Sequence, residues 1–270
     1  MRVLIAGGSG LVGRTLAPYL LSKGFEVTVL THRKKIKHNL NFKEEIKVVK
    51  IGDPLGDVDV IVNLAGERIS TYPLTKRRIK TLLKSRLDVI NFLKERYKHK
   101  LSTIHFLQAS ATGIYVNTKK EEEDLPKLSS CVYSNMCKEI ESAANKAFLN
   151  CSNLRLGVVV GNGGGIVSLL KFLPKIKFTH GDNCIPYIKN EDVALAIYKI
   201  ITNKLTGNVN LCSNKYLSLN ELLELCQKEH FGPKFLIPKI LLKLDKRGAL
   251  LLPNQKIKPQ KLLNLGINFR

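Results

Sequence analysis

Apolar and polar positions along this chain alternate between two regimes. Residues 2 to 6, 26 to 31, 46 to 51, 58 to 64, 103 to 109 and 154 to 160 are runs of β type, apolar throughout rather than at every second position. Between them, residues 11 to 23, 76 to 97 and 133 to 149 repeat their apolar positions at helical spacing. Strands that alternate with helices and are apolar on both faces belong to a parallel sheet covered on both sides. Right-handed crossovers then give a doubly wound α/β fold. Pro18 falls inside the first helix and predicts a kink there. From Gly161 onward the pattern loosens, with Gly163-Gly164-Gly165 followed by Pro174, Gly181 and Pro186 and later by Pro233, Pro238, Pro253 and Pro259. Within that stretch Glu191 to Thr202 is amphipathic and is expected to return to the sheet.

The first strand leads into Gly7-Gly8-Ser9-Gly10-Leu11-Val12-Gly13, which opens the first helix. In that context one glycine permits a tight turn, one lets a pyrophosphate approach the backbone at the helix N-terminus, and Gly13 lets helix and strand pack closely. The run satisfies both G-x-G-x-x-G (8, 10, 13) and G-x-x-G-x-x-G (7, 10, 13), so the individual roles stay open. These features predict a Rossmann-like dinucleotide-binding domain from residues 1–160 and 187–212. A smaller C-terminal substrate lobe is expected from residues 161–186 and 213–270.

The end of the second strand selects among dinucleotides. An acid there, about 20 residues past the glycines, would accept from the ribose hydroxyls of NAD. Here the segment reads Leu30-Thr31-His32-Arg33-Lys34-Lys35, with no carboxylate and with cations where a 2′-phosphate would sit. The expected cofactor is NADP rather than NAD.

Composition narrows the picture further. The chain has 44 Lys and Arg against 22 Asp and Glu, a formal net charge of +22. The cations are scattered, mostly as Lys, with no interleaved aromatic patch of the kind a single-strand-binding groove needs, so a specific nucleic-acid partner is not expected. The six cysteines include no C-x-x-C pair and no clustered histidine, which argues against a zinc site or a disulfide framework. The leucine-rich stretch from 236 to 252 is broken by charges, and the N-terminal apolar run is too short for a signal core. A cytoplasmic protein without membrane contact is expected, with a small-molecule substrate as partner; the sequence leaves room for a homodimer.

Gly7 to Gly13, Asn63-Leu64-Ala65-Gly66, Ser110-Ala111-Thr112-Gly113 and Leu154-Arg155-Leu156-Gly157 together resemble an extended short-chain dehydrogenase/reductase of the NAD-dependent epimerase/dehydratase type. Asn63 to Ile69 followed by Lys84-Ser85-Arg86, Val160 to Gly165, and Gln255 to Gln260 are similar to an epimerase-like subfamily, 39U, and its YfcH-type bacterial relatives. The resemblance implies that Ser110 is the catalytic serine, that Asn63, Ala65 and Gly66 line the cofactor together with Gly7, Gly10, Leu11, Val12 and Gly13, and that Arg33 meets the 2′-phosphate. Asp53 is a candidate for the adenine edge, though an Asp before Pro54 serves equally as a turn residue.

That family moves its proton with Tyr-x-x-x-Lys, whose spacing puts both side chains on one helical face so that the ammonium lowers the tyrosine pKa. Here the positions fall on Tyr133 and Cys137, and half of the dyad is missing. Tyr133 stays a candidate beside Ser110, although a tyrosine without catalytic duty is the favoured reading. Pro186 to Asp192 is similar to the family's Trp-Ile-His-x-x-Asp segment, with Tyr187 for Trp, Lys189 for His, and Asp192 expected as a helix cap. Two functions follow from the resemblance. One is an NADP-dependent epimerase-like oxidoreductase for a carbonyl, hydroxyl or sugar-nucleotide substrate; the other is a non-catalytic NADP(H) sensor or interaction protein, with a link to cell division as one form of it.

Overall fold

The structure, a computed structural model, describes residues 1–32, 45–69, 72–117, 127–161, 164–165, 174–227, 232–244 and 251–269. Its centre is a seven-stranded parallel sheet built from β1 (Arg2–Ala6), β2 (Glu26–Thr31), β3 (Lys47–Lys50), β4 (Val60–Asn63), β5 (His105–Ala111), β6 (Asn150–Leu156) and a later strand, β11 (Gly207–Leu211). The spatial order is β3-β2-β1-β4-β5-β6-β11, and every pairing is parallel. The chain winds outward from β1 in one direction and then, from β4, in the other. Between β1 and β4 the winding reverses, which is where a doubly wound sheet opens a crevice at its carboxyl ends.

Helices cover both faces because the strands are apolar on both. On one face α1 (Leu11–Ser22) and α4 (Asn190–Thr202) bury Leu16, Leu20, Val193, Ile197 and Ile200 against Val3, Ile5, Val27 and Val209 of the sheet. On the other, α2 (Lys76–Arg96) and α3 (Val132–Ala147) bury Leu82, Ile90, Met136 and Ile140 over Leu4, Ile61 and Phe106. α2 starts at Thr75, whose hydroxyl caps the helix by accepting from the Arg78 N–H. The kink expected at Pro18 does not break α1, which runs continuously from Leu11 to Ser22.

Three small two-stranded pairings join the remaining strands. β7 (Val158–Val160) pairs with β10 (Tyr187–Lys189), β9 (Cys184–Ile185) with β12 (Leu217–Ser218), and β8 (Lys175–Thr179) with β13 (Lys234–Pro238). α5 (Leu219–Cys226) starts at a Ser218/Glu221 capping box and buries Leu219, Leu222 and Leu223 in a separate apolar cluster with Phe178, Ile185 and Tyr187. α6 (Gln260–Asn264) returns Leu262 to the core of the large sheet.

Two expectations are corrected. The apolar run from 154 to 160 is two strands, not one: the backbone turns at Gly157, where a Cβ would stand 2.7 Å from the Pro186 carbonyl oxygen, and β7 leaves for a different pairing. Asp192 is not the cap of α4. The cap position is Lys189, without a side-chain hydrogen bond, and Asp192 lies buried in the first turn of the helix.

Candidate functional site

The glycine run follows β1 at the carboxyl end of the sheet, against the turn after β4, and the geometry separates the roles that the spacing left open. Gly7 has φ +77°, and a Cβ on it would lie 2.8 Å from the backbone of Ala65, so position 7 needs glycine for its conformation and for the approach of the β4 turn. The Gly7 N–H donates to the Leu30 carbonyl at 3.0 Å and the Leu64 N–H to the Ala6 carbonyl at 2.9 Å, which ties the two turns to the strand ends. Gly10 holds the N-cap position of α1, where it has no side chain to close the helix end, and donates its N–H to the Gly7 carbonyl. At Gly13 a Cβ would stand 2.3 Å from the Gly8 Cα, so helix and turn pack here with no room for a side chain.

No side chain caps α1, and its first turn contains no acid. The N–H groups of Leu11, Val12 and Gly13 therefore face the crevice end of the helix without intrahelical partners, at the positive pole of the dipole. The side chains of these residues serve packing: Val12 lies against the apolar core, and Leu11 supports the Gly164–Gly165 backbone.

Asn63 is fully buried and its amide is committed. Its Oδ1 accepts from the Ala65 N–H at 3.2 Å and its Nδ2 donates to Gln108 Oε1 at 2.8 Å, so it braces the turn from below. Ala65 and Gly66 form the surface of that turn. The Lys84-Ser85-Arg86 segment of α2 holds it from the side. Ser85 Oγ accepts from the Glu67 N–H at 3.2 Å, and Arg86 donates to the Glu67 carbonyl at 3.1 Å while its stem lies against Gly66. Sequence reasoning had this segment in view but assigned it no task.

At the end of β2, Thr31 is buried and His32 exposed, with no acid at either position. Arg33, the residue expected at the 2′-phosphate, lies outside the described residues, as do Lys34 and Lys35. Asp53 is exposed, and its Oδ2 accepts from the Lys50 N–H at 2.7 Å, the work of a turn residue.

Ser110 lies near the end of β5, directly across from Arg155 of β6. Its hydroxyl donates to Glu141 Oε1 at 2.6 Å. Glu141 in turn receives two hydrogen bonds from Arg155, at 2.9 Å from Nε and 2.7 Å from Nη2, with side-chain exposures of 3% and 8% for Arg155 and Glu141. Arg155 also donates to the Tyr115 phenol oxygen, and Tyr115 donates to Asn210 Oδ1. Burial would lower the Arg155 pKa, but the hydrogen bonds it donates to Glu141 and Tyr115 outweigh that and raise it. Burial raises the Tyr115 pKa, so the phenol stays protonated. Glu141, Arg155 and Tyr115 were missed as site residues because a buried carboxylate and guanidinium announce themselves only once paired.

Tyr133 and Cys137 lie one turn apart on α3, as their spacing requires. Tyr133 is half-buried against the α2/α3 apolar cluster. Cys137 is buried, and burial raises its thiol pKa despite opposing interactions with Ser110 and the Ala111 backbone. Position 137 therefore holds a neutral thiol beside Ser110. Among the described residues there is no group of three His, Cys, Asp or Glu fit to hold a metal, and no helix is long and apolar enough to cross a membrane.

Residues 3–212 match the model of the NAD dependent epimerase/dehydratase family. The chain is 30% identical over its full length to the mouse Epimerase family protein SDR39U1, covering 95% of that protein. It is 25% identical to the Epimerase family protein SAR0825 of Staphylococcus aureus (strain MRSA252), over 99% of this chain and 94% of that one. Among solved structures, human epimerase family protein SDR39U1 (isoform 2) with NADPH superposes with a TM-score of 0.83 at 22% identity, over 100% of this chain and 95% of the other. The UDP-glucose 4-epimerase of Thermus thermophilus in complex with NAD gives 0.72 at 19% identity, over 100% and 94%. These two structures establish a shared fold.

Proposed function

The chain belongs to the NAD dependent epimerase/dehydratase family, and from that premise we propose that it is an NADP(H)-binding, epimerase-like oxidoreductase acting on a small carbonyl or hydroxyl compound or a sugar nucleotide. The observation that carries the proposal is the cradle at the winding reversal. Gly7 and Gly13 leave no space for a Cβ, and the uncapped N-terminus of α1 offers its N–H groups to a pyrophosphate. Gly7, Gly10, Leu11, Val12 and Gly13 would hold that group through their backbone, with Ala65 and Gly66 opposite and Asn63 bracing them. The missing acid at the end of β2 supports NADP over NAD, as does the NADPH in the human SDR39U1 structure. When bound, the cofactor would supply hydride transfer.

The chain's own contribution to chemistry centres on Ser110. Its proton is already directed to Glu141, so the remaining capacity of Oγ is its lone pairs, suited to accept from a substrate hydroxyl. Arg155 fixes Glu141 and thereby the direction of that hydroxyl. One turn on from Tyr133 along α3, position 137 is cysteine rather than lysine.

The second reading, a non-catalytic NADP(H)-binding sensor or interaction protein, draws on the same neutral thiol at position 137. One experiment addresses both: titration with NADPH of the wild type and of Gly13→Val, then turnover of NADPH against a panel of aldehydes, ketones and nucleotide sugars. Saturable binding lost in a folded Gly13→Val protein supports the site, and turnover abolished by Ser110→Ala supports the enzyme. Binding retained by Gly13→Val would overturn the cradle, and binding without any turnover would favour the sensor.

A further inference from the structure

On α2 a charged side chain stands between two fully buried apolar ones. Leu82, Arg86 and Ile90 are spaced one turn apart and so lie on one face of the helix, and Leu82 and Ile90 are fully buried in the cluster they share with Met136 and Ile140 of α3. Arg86 therefore sits on the seam between α2 and α3, flanked by leucine and isoleucine. A guanidinium in such a place is costly unless it is paired. Arg86 donates to two backbone carbonyls, Leu82 at 2.9 Å and Glu67 at 3.1 Å, and among the described residues it forms no ion pair with a carboxylate. Glu67, whose charge also acts on Arg86, is engaged by Arg78.

The direction of this charge is set by two neighbours. On one side is Gly66, the outer residue of the cofactor-facing turn: a Cβ built on it would stand 2.9 Å from Arg86 Cγ and Cζ. On the other is α3, where Met136 and Ile140 pack in one cluster with Leu82 and Ile90 and bracket Cys137 in the helix; Ser110, Glu141, the Ala111 backbone and Arg86 all act on that thiol. The lysine of the family's dyad is absent from α3, yet the site is not without a cation.

We propose that Arg86 is the cation on the cofactor side of this site, Arg155 being committed to Glu141, and that it enters from α2 to fill the electrostatic place that a lysine at position 137 would fill from α3, its partner a negatively charged or oxygen-rich group of the bound dinucleotide at the Gly66 turn. The inference rests on the cofactor reading given above. It accounts for a guanidinium on an apolar seam that has no carboxylate ion-pair partner among the described residues, and for the tolerance of a neutral thiol at 137.

The test is a double-mutant cycle of wild type, Arg86→Met, Cys137→Lys and the double variant, read by urea unfolding without cofactor and by NADPH titration. If the Arg86 charge reaches position 137, a lysine there is repelled in the wild-type background and relieved in Arg86→Met, so its effect on the unfolding constant shrinks by about tenfold or more. For binding, Arg86→Met should weaken NADPH by about tenfold or more, and adding Cys137→Lys should restore most of the loss. A purely structural Arg86 would not be rescued, because a lysine at 137 cannot remake the bonds to Leu82 and Glu67. Should Cys137→Lys unfold in both backgrounds, Arg86→Lys decides: affinity held within about threefold supports the proposal, and a loss equal to that of Arg86→Met overturns it. An unfolding penalty for Cys137→Lys that is the same with and without Arg86, or a double variant that binds no better than Arg86→Met, also overturns it. Coupling in the unfolding cycle with no NADPH binding by the wild type would support the placement of the charge and sink the cofactor reading instead.

Discussion

Replacing Glu141 with alanine removes the acceptor at the centre of the buried network. In the wild type the carboxylate takes two hydrogen bonds from Arg155 and one from Ser110, all at 2.9 Å or less. Without it, the guanidinium is left buried with the Tyr115 oxygen as its remaining side-chain acceptor in the network. Breaking a buried pair from one side costs about 3–5 kcal/mol, because the surviving charge is stranded. For a chain of this size that corresponds to a fall in Tm on the order of 10 °C. Replacing both partners by apolar side chains, Glu141→Leu with Arg155→Met, strands no charge and should cost far less than the two single changes added together. Urea unfolding of the wild type, Glu141→Leu, Arg155→Met and the double variant measures the coupling, expected at roughly 3 kcal/mol or more, with Glu141→Ala measured beside them. A Glu141→Ala loss under about 1 kcal/mol, or a double variant that falls by the sum of the singles, would refute the claim that this pair is desolvated and mutually dependent.

Three further outcomes are expected. His105 is buried beside Ser152, and burial lowers its pKa from the ordinary value of 6.5. The unfolded chain then binds more protons below about pH 6.5, so stability falls as pH falls through that window, and His105→Gln should flatten the slope; an unchanged slope counts against it. Ser85→Ala removes the acceptor for the Glu67 N–H and should destabilise by about 1 kcal/mol while weakening NADPH, measured by urea unfolding and titration; an effect on neither would show the turn stands without α2. Ser110→Ala should abolish any turnover but leave NADPH affinity within about threefold, since Ser110 is assigned to the substrate and not to the cradle. A parallel loss of affinity would reassign it.

Much of the large sheet was readable because its strands are apolar and its helices amphipathic. Arg2–Ala6 and Glu26–Thr31 match the runs that announced them, and Lys76–Arg96 differs from its periodic stretch by one residue. β11 was not readable. Its sequence is Gly-Asn-Val-Asn-Leu, and the two asparagines that argue against a strand are satisfied sideways, Asn208 accepting from Asn153 and Asn210 from Tyr115. The first half of β6 was hidden for the same reason. Ser152 and Asn153 are buried polar residues whose partners, Leu205, Asn145 and Asn208, come from distant or non-strand positions.

The site divides the same way. The glycine cradle is a backbone property and is written directly in residue type, so its position followed from the sequence, although assigning Gly7 rather than Gly8 to the turn needed the positive φ and the distance to Ala65. The Glu141–Arg155–Tyr115 network joins a helix, a strand and the turn after β5, and no spacing rule links them. Arg86 belongs to a stretch whose resemblance was noted, but its role depends on which face of α2 meets α3.

The central claim, an NADP-selective dinucleotide site at the Gly7–Gly13 cradle, is tested most directly by titrating the cofactor-free protein with NADPH and with NADH, following nucleotide fluorescence, in wild type and in Arg33→Ala. A cation meeting the 2′-phosphate with no opposing acid predicts that NADPH binds at least about tenfold tighter than NADH, a difference of roughly 1.4 kcal/mol, and that Arg33→Ala narrows the gap while leaving NADH unchanged. Equal affinities for the two nucleotides in the wild type, or a preference for NADH, would contradict it.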